Sequence, residues 1–286
     1  MLLLHDAMET TMIKDVMVRL DGTRADDARL AAVDQIAEYF DSHIVGLFLN
    51  VLPLLIPAEG DGAAAAESVR LVDKARVVGD KLEAKLRQRL ARLQKPVELR
   101  RFDTFGDIVG DVAAREARTA DVFVAMRPNG SPQEPEHLIE SVLFGTGRHL
   151  FLVPPRKPAP AAFDHVMIAW NGSREAARAV SEALPYLRKA ETVSIVIVDD
   201  GELVEEQATL GKDLVEHLLH HGIGAAVHHL IKDGQIGSTL IAESKRLKPN
   251  LIVMGGYGHS RLREWLLGGA TYEMLHSAPA PLLIAH

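Results

Sequence analysis

Apolar residues follow two periodicities along the chain, and the two alternate from end to end. Short apolar runs such as Ile44–Leu49 predict buried strands, whereas residues like Leu30, Val33 and Ile36, spaced three positions apart, predict an amphipathic helix. In the first half, this pattern predicts strands over 14–23, 43–51, 97–102, 121–126 and 149–153, and helices over 25–40, 63–93, 107–118 and 136–143. In the second half, it predicts strands over 165–173, 192–198, 225–231, 251–254 and 281–285, and helices over 174–188, 204–221, 236–247 and 272–276.

The order of elements is the same in both halves, which indicates an internal duplication. Residues 165–173 align with residues 15–23 at a constant offset of 150 positions. Strands that alternate with helices imply crossover connections and a parallel, doubly wound sheet. The fold class predicted is therefore α/β, with two tandem doubly wound domains.

A proline-rich segment separates the two copies. Residues 154–160 hold four prolines, which exclude both a helix and a central strand. The chain is accordingly divided into a loose tail (1–11), a first domain (12–153), a linker (154–162) and a second domain (163–286).

Composition restricts the possible environments and partners. The net charge of −7 argues against broad binding of nucleic acid or anionic membranes. No apolar run is long enough for a membrane span, and the chain has no cysteine, which is compatible with a reducing compartment. We therefore expect a cytoplasmic protein that binds no nucleic acid and has no membrane span.

Glycines cluster after the predicted strand at 251–254, where candidate chemistry is most concentrated. Gly255, Gly256 and Gly258 follow that strand, and Gly268 and Gly269 precede the last helix. Glycine lets backbone N–H groups approach a ligand closely, and amides beside a helix N-terminus bind anions. The arrangement predicts a phosphate site.

The second half resembles the universal stress protein family in three motifs, and the first half resembles it more weakly. The motifs are the strand and turn at 166–173, the spacing Gly255-x2-Gly258-x9-Gly268, and the ending at 276–284. The resemblance implies a five-stranded parallel sheet of order 3-2-1-4-5 in each domain. It also implies ATP, often with Mg²⁺, where the first and fourth strands diverge.

The resemblance also implies which residues of the second domain contact the nucleotide. The predicted set consists of residues at the ends of three strands, in the glycine loop and at the start of the last helix: Trp170, Asn171, Val198, Met254, Gly255, Gly258, His259, Ser260, Gly268, Gly269, Ala270 and Thr271. Asn171 stands where the family has Asp, and Gly269 stands where it has Ser or Thr. Each change removes a hydrogen bond worth about 1 kcal/mol or more, so weaker nucleotide binding is expected.

The first half departs further from the nucleotide-binding pattern. It keeps Asp21, but Met126 and Pro128 replace loop glycine and amide groups, and Glu136 aligns with Gly268. We therefore expect the first domain to have a degenerate nucleotide site.

Three functions stay open at this stage. The favoured one is a regulatory stress-response module that binds ATP or a related adenine nucleotide and has no catalytic residues. A non-nucleotide scaffold and a slow ATPase are the alternatives, because fold alone does not give function. His217 and His221 are spaced for a metal, but a solvated helix face is the preferred interpretation, so no metal site is predicted.

The last strand of each copy is the expected place of assembly. Pairing of 149–153 with 281–285 would cover two sheet edges that otherwise invite aggregation. We therefore predict an internal pseudo-dimer, with further homodimerisation left open.

Overall fold

A computed structural model describes residues 13–56, 62–128, 136–155, 162–199, 204–257 and 269–286, with backbone alone at 204–208 and 210. The predicted tail, most of the predicted linker and the centre of the glycine loop lie outside the described residues.

The elements alternate as predicted, and most bounds agree within a few residues. The first half contains β1 (Asp15–Leu20), α1 (Ala25–Phe40), β2 (His43–Leu52), α2 (Gly62–Leu90), β3 (Val97–Phe105), α3 (Val109–Ala117), β4 (Val122–Met126), α4 (Glu136–Thr146) and β5 (His149–Val153). The second half contains β6 (His165–Ala169), α5 (Arg174–Leu187), β7 (Thr192–Asp199), α6 (Val204–His220), β8 (Ala226–Ile231), α7 (Ile236–Leu247), β9 (Leu251–Gly255), α8 (Ala270–Ser277) and β10 (Leu282–Ala285).

The first strand of each copy is shorter than the apolar pattern suggested. β1 ends at Leu20, because the Thr23 amide and hydroxyl both donate to Asp21 Oδ1 and turn the chain. Gly22 has φ = 79°, a left-handed conformation that glycine adopts without strain. The turn, rather than the strand, therefore presents residues 21–23.

Each half has the predicted strand order 3-2-1-4-5, so the predicted fold class is confirmed. The orders are β3-β2-β1-β4-β5 and β8-β7-β6-β9-β10, with parallel neighbours throughout each half.

The two five-stranded sheets join into one ten-stranded sheet. β5 pairs antiparallel with β10, and Phe151 lies opposite Leu283 at the centre of this pairing. Leu152 faces Leu282 and Leu150 faces Ile284 on either side, as a pseudo-twofold axis requires. The predicted pairing of the two fifth strands is thus present.

Helices cover the sheet in two layers, each of which runs across both halves. Buried apolar residues of α1, α2, α5 and α6 form one core layer, and those of α3, α4, α7 and α8 form the other. Strand residues alternate between the layers, as with Ile168 and Met167 in β6.

Side chains also cross from one half to the other beside the β5–β10 pair. Buried His149 on β5 lies 3.0 Å from the Glu182 carboxylate on α5. Arg127, which follows β4, donates from Nη1 to the Met274 carbonyl of α8 over 3.2 Å. Tyr186 of α5 packs against Phe40 and Phe163, with ring centroids 5.0 and 5.2 Å apart.

Candidate functional site

The carboxyl ends of β6 and β9 form the switch point of the second half. β6 pairs with β7 on one side and with β9 on the other. The chain leaves these neighbouring strands in opposite directions, so a crevice opens between them, which is the usual ligand site of open α/β sheets.

Apolar side chains make a floor at this point on the α7–α8 side of the sheet. Met254 is buried, and Ala169, Val198 and Tyr257 are partly buried against the same core layer. The predicted residues Val198 and Met254 are therefore brought together. A floor of this kind suits an apolar planar group such as a purine.

Trp170 lies on the other side of the sheet. It packs against the core layer of α5 and α6, and its backbone N–H donates to the Val196 carbonyl. Its indole Nε1 is buried with no partner among the described residues. The side chain thus has a packing role and does not share the floor with Val198.

Asn171 closes the turn between β6 and α5. Its Oδ1 accepts from the Ser173 amide over 3.1 Å, and Ser173 in turn caps α5 by accepting from the Ala176 amide. Asn171 itself is exposed at the rim of the crevice. With its oxygen used by the turn, its Nδ2 group is what it offers to a ligand.

Gly255 and Gly256 are required by packing on both sides of the sheet. A Cβ at Gly255 would lie 2.5 Å from the Ala176 nitrogen of α5. A Cβ at Gly256 would lie 2.9 Å from Ile284 and 3.0 Å from Leu143 of the first half. These glycines bring α5 and α4 close to the loop, whatever the loop binds.

The start of α8 holds the first residues of the glycine loop in place. The buried Thr271 hydroxyl accepts from the Tyr257 amide over 3.2 Å, and Tyr257 has φ = 56°. The N-cap residue Gly269 has no side chain to cap the helix. The amides of Ala270 and Thr271 therefore have no acceptor among the described residues, and a helix start of this kind attracts anions.

Four predicted contact residues cannot be located in this way. Gly258, His259, Ser260 and Gly268 lie outside the described residues. The crevice geometry given above is built from its floor and its two rims.

The equivalent switch point of the first half is filled by the chain's own charged side chains. Arg29 is fully buried, and its guanidinium binds Asp26 at 2.6 Å and Asp21 at 3.0 Å. Arg19 lies 3.6 Å from Asp21, and Arg89 of α2 lies 3.3 Å from Asp26. Leu82 of α2 covers the turn, because a Cβ at Gly22 would lie 2.8 Å from its Cδ2.

Burial and mutual charge set the ionisation of this cluster, which we call the β1 ion cluster (Arg19, Asp21, Asp26, Arg29 and Arg89). Burial alone would raise the pKa of Asp21, but the Arg29 charge and the Thr23 hydrogen bonds outweigh it and lower that pKa. Burial and the Asp21 charge raise the pKa of Asp26. Burial and the Arg29 charge lower the pKa of Arg19 to about 10.

Pattern-based reasoning did not find the β1 ion cluster, although a signal was present. Asp26 and Arg29 are three positions apart on α1, which places them on one helix face. The contribution of Arg19 and Arg89 depends on β1 and α2 coming together, and no local pattern indicates that.

The surface histidines do not assemble a metal centre within the described residues. No group of three or more His, Asp or Glu side chains there could hold a metal ion. His217 and His221 have ring centroids 4.9 Å apart, and Arg188 lies 3.3 Å from His221 Nδ1. Desolvation and the charges of His217 and Arg188 lower the pKa of His221.

No helix in the described part of the chain is both long and apolar enough to span a membrane.

The fold and the crevice together define a tandem α/β protein with one open switch point. The family model described as "Universal stress protein family" matches residues 162–286. The second half is therefore a domain of the universal stress protein family.

Solved structures share the whole tandem architecture. A universal stress protein from Archaeoglobus fulgidus DSM 4304 aligns with a TM-score of 0.73 and 16% identity, covering 95% of this chain and 97% of that one. A putative universal stress protein from Pseudomonas aeruginosa UCBPP-PA14 aligns with a TM-score of 0.59 and 14% identity, covering 96% and 93%. At these identities the likeness shows the fold alone. No curated protein matches the chain.

Proposed function

We propose that the second half binds an adenine nucleotide, of which ATP is the first candidate, and that the chain acts as a nucleotide-responsive module in stress response. The base would lie on the floor made by Ala169, Val198 and Met254. The phosphates would lie at the glycine loop and the uncapped start of α8, where Gly269, Ala270 and Thr271 stand. Any Mg²⁺ would be held mainly by the phosphates.

The observation that carries this proposal is the contrast between the two switch points. In the second half, neutral residues surround the crevice, and Ala179 and Ala176 occupy the positions that Arg29 and Asp26 have in the first. In the first half, a buried guanidinium and two carboxylates fill the corresponding space. A nucleotide there would have to displace paired buried charges, which is costly. One nucleotide site per chain follows, and the first half acts as a structural partner.

The direct test is calorimetric titration of the full chain with ATP, with and without Mg²⁺. We expect one site per chain. Two equivalent sites would contradict the proposed asymmetry between the halves.

Two sets of variants probe the site itself. Gly258→Val is expected to abolish binding with little change in melting temperature, because its Cβ would stand where phosphate oxygens approach the amides. Asn171→Asp with Gly269→Ser adds a charge-assisted and a neutral hydrogen bond. That pair is expected to tighten ATP by roughly 1–3 kcal/mol. The turn should survive, because Asp keeps the oxygen that Ser173 donates to.

A scaffold without a nucleotide is the second candidate, and one observation favours it. The close packing at Gly255 and Gly256 explains both glycines without any ligand. If neither the wild type nor the Asn171→Asp/Gly269→Ser variant binds ATP, the nucleotide proposal fails and the scaffold function replaces it.

A further inference from the structure

The two copies differ most in their second helix. α2 has 29 residues, whereas its counterpart α6 has 17. The first part of α2, residues 62–78, contains no buried residue and extends over about 25 Å. The second half has the same sheet order without such an extension, so the fold itself does not require it.

The extension carries most of the exposed apolar surface of the described residues. Eleven large apolar side chains are exposed there, and seven of them lie on α2 or at the end of β2: Val51, Leu54, Leu55, Ile56, Val69, Val77 and Val78. We call these seven residues the α2 surface. Ile56 alone is 85% exposed. Clustered apolar exposure of this kind marks an interaction site.

A shallow cavity joins the two parts of the α2 surface. It has a volume of about 350 Å³ and is lined by Asn50, Val51, Leu71, Lys74, Ala75 and Val78. The Ser68 hydroxyl donates to the Leu55 carbonyl, which ties the segment after β2 to the helix. The surface is thus a continuous part of the folded first half.

Charges on the extension alternate in sign and are suited to pairing with themselves. Arg70 pairs with Glu67 and Arg76 with Asp73 within the helix, whereas Lys74 has no ion pair with any described residue. Such alternation does not favour a polyanion. It does leave one cation beside a carboxylate that is 64% exposed, Asp73.

We propose that the α2 surface is a homodimer interface in which the α2 helices of two copies pack antiparallel about a twofold axis between Asp73 and Lys74. In that arrangement Lys74 of each copy lies opposite Asp73 of the other, and Val69 lies opposite Val78. Glu67 lies opposite Asp80, and each of these carboxylates already pairs with an arginine of its own chain, Arg70 and Arg101 respectively. Charge complementarity therefore selects a second copy of this chain as the occupant.

The first test is the concentration dependence of the molar mass of the full chain, measured by sedimentation equilibrium. We expect a monomer–dimer equilibrium in the wild type. Val69→Glu/Val77→Glu should weaken the dimer by about tenfold or more, because each copy would bury carboxylates against apolar residues. Leu219→Glu, an exposed leucine on α6, is the matched control and should leave the dimer unchanged.

The second test addresses the antiparallel register. Lys74→Asp places like charges at the twofold axis and should weaken the dimer. Adding Asp73→Lys to the same chain restores opposite charges and should recover it. A wild type that stays monomeric at all concentrations, a dimer unaffected by the valine variants, or a double charge swap without recovery would each overturn the proposal.

Discussion

Arg29 and Arg127 are both buried guanidinium groups, but their surroundings differ. Arg29 is enclosed by the carboxylates of Asp21 and Asp26. Arg127 is 5% exposed, has the Met274 carbonyl as its described acceptor, and has a buried Nε with no partner among the described residues. Burial lowers the pKa of Arg127 to about 10, which means that its charged form is less stable here than in water.

Replacing each arginine by methionine should therefore have opposite effects on stability. Arg127→Met removes an uncompensated charge, and the Met274 carbonyl keeps its bond from the Ala278 amide, so the free energy of unfolding should rise by about 1 kcal/mol. Arg29→Met leaves buried carboxylates uncompensated and should lower it by about 3–5 kcal/mol. Urea denaturation measures both, and a loss of stability in Arg127→Met would contradict the first expectation.

Gly255 offers a second test at the residue scale. Gly255→Ala forces a Cβ against the α5 backbone, so it should lower the free energy of unfolding by roughly 1–3 kcal/mol even without a ligand. Gly224→Ala is the matched control, because a Cβ there meets no atom within 4 Å. Equal melting temperatures for the two variants would show that the close approach at Gly255 is not needed for stability.

Strand β5 and helix α5 meet at the His149–Glu182 pair, which links the halves at the element scale. Burial would raise the pKa of Glu182, but the hydrogen bond from His149, with the His149 and Arg178 charges, lowers it overall. A carboxylate with a lowered folded-state pKa stabilises the fold above its unfolded-state pKa. That contribution is lost as the pH falls through the folded-state value.

Glu182→Gln should therefore remove part of the acid dependence of stability. At neutral pH it is expected to lower the free energy of unfolding by roughly 1–3 kcal/mol, and the difference should shrink below about pH 4.3. Chemical denaturation at several pH values tests this. The exposed Glu216→Gln serves as the control, and a variant whose difference from wild type grows in acid would refute the assignment.

At the scale of the whole molecule, the ten-stranded sheet and its two core layers make the halves interdependent. Both layers contain residues of both halves, and the central β5–β10 pair is buried. Separation of the halves would expose two apolar strand edges to water.

We therefore expect a single unfolding transition in calorimetry. Leu86→Ala in the first half and Leu214→Ala in the second should each lower the stability of that one transition by roughly 2–5 kcal/mol. Two resolved transitions, each sensitive to one variant, would contradict this cooperativity.

Sequence patterns determined much of this protein because they report local physics. The apolar periodicity located the strands and helices, the repeated order of elements revealed the duplication, and β5 and β10 could be recognised as matching edges. The glycines after β9 indicated a close backbone approach, and Gly255 and Gly256 do lie within 3.0 Å of what a Cβ would meet.

The tertiary structure decided what those residues contact, because contacts between distant segments have no local pattern. It placed Trp170 in the core layer, assigned the Asn171 oxygen to a turn, and gave Thr271 the task of holding Tyr257. It also brought Arg19, Arg29 and Arg89, from β1, α1 and α2, to one pair of carboxylates. Burial and pairing of charges depend on which elements pack together, and only the folded chain determines that.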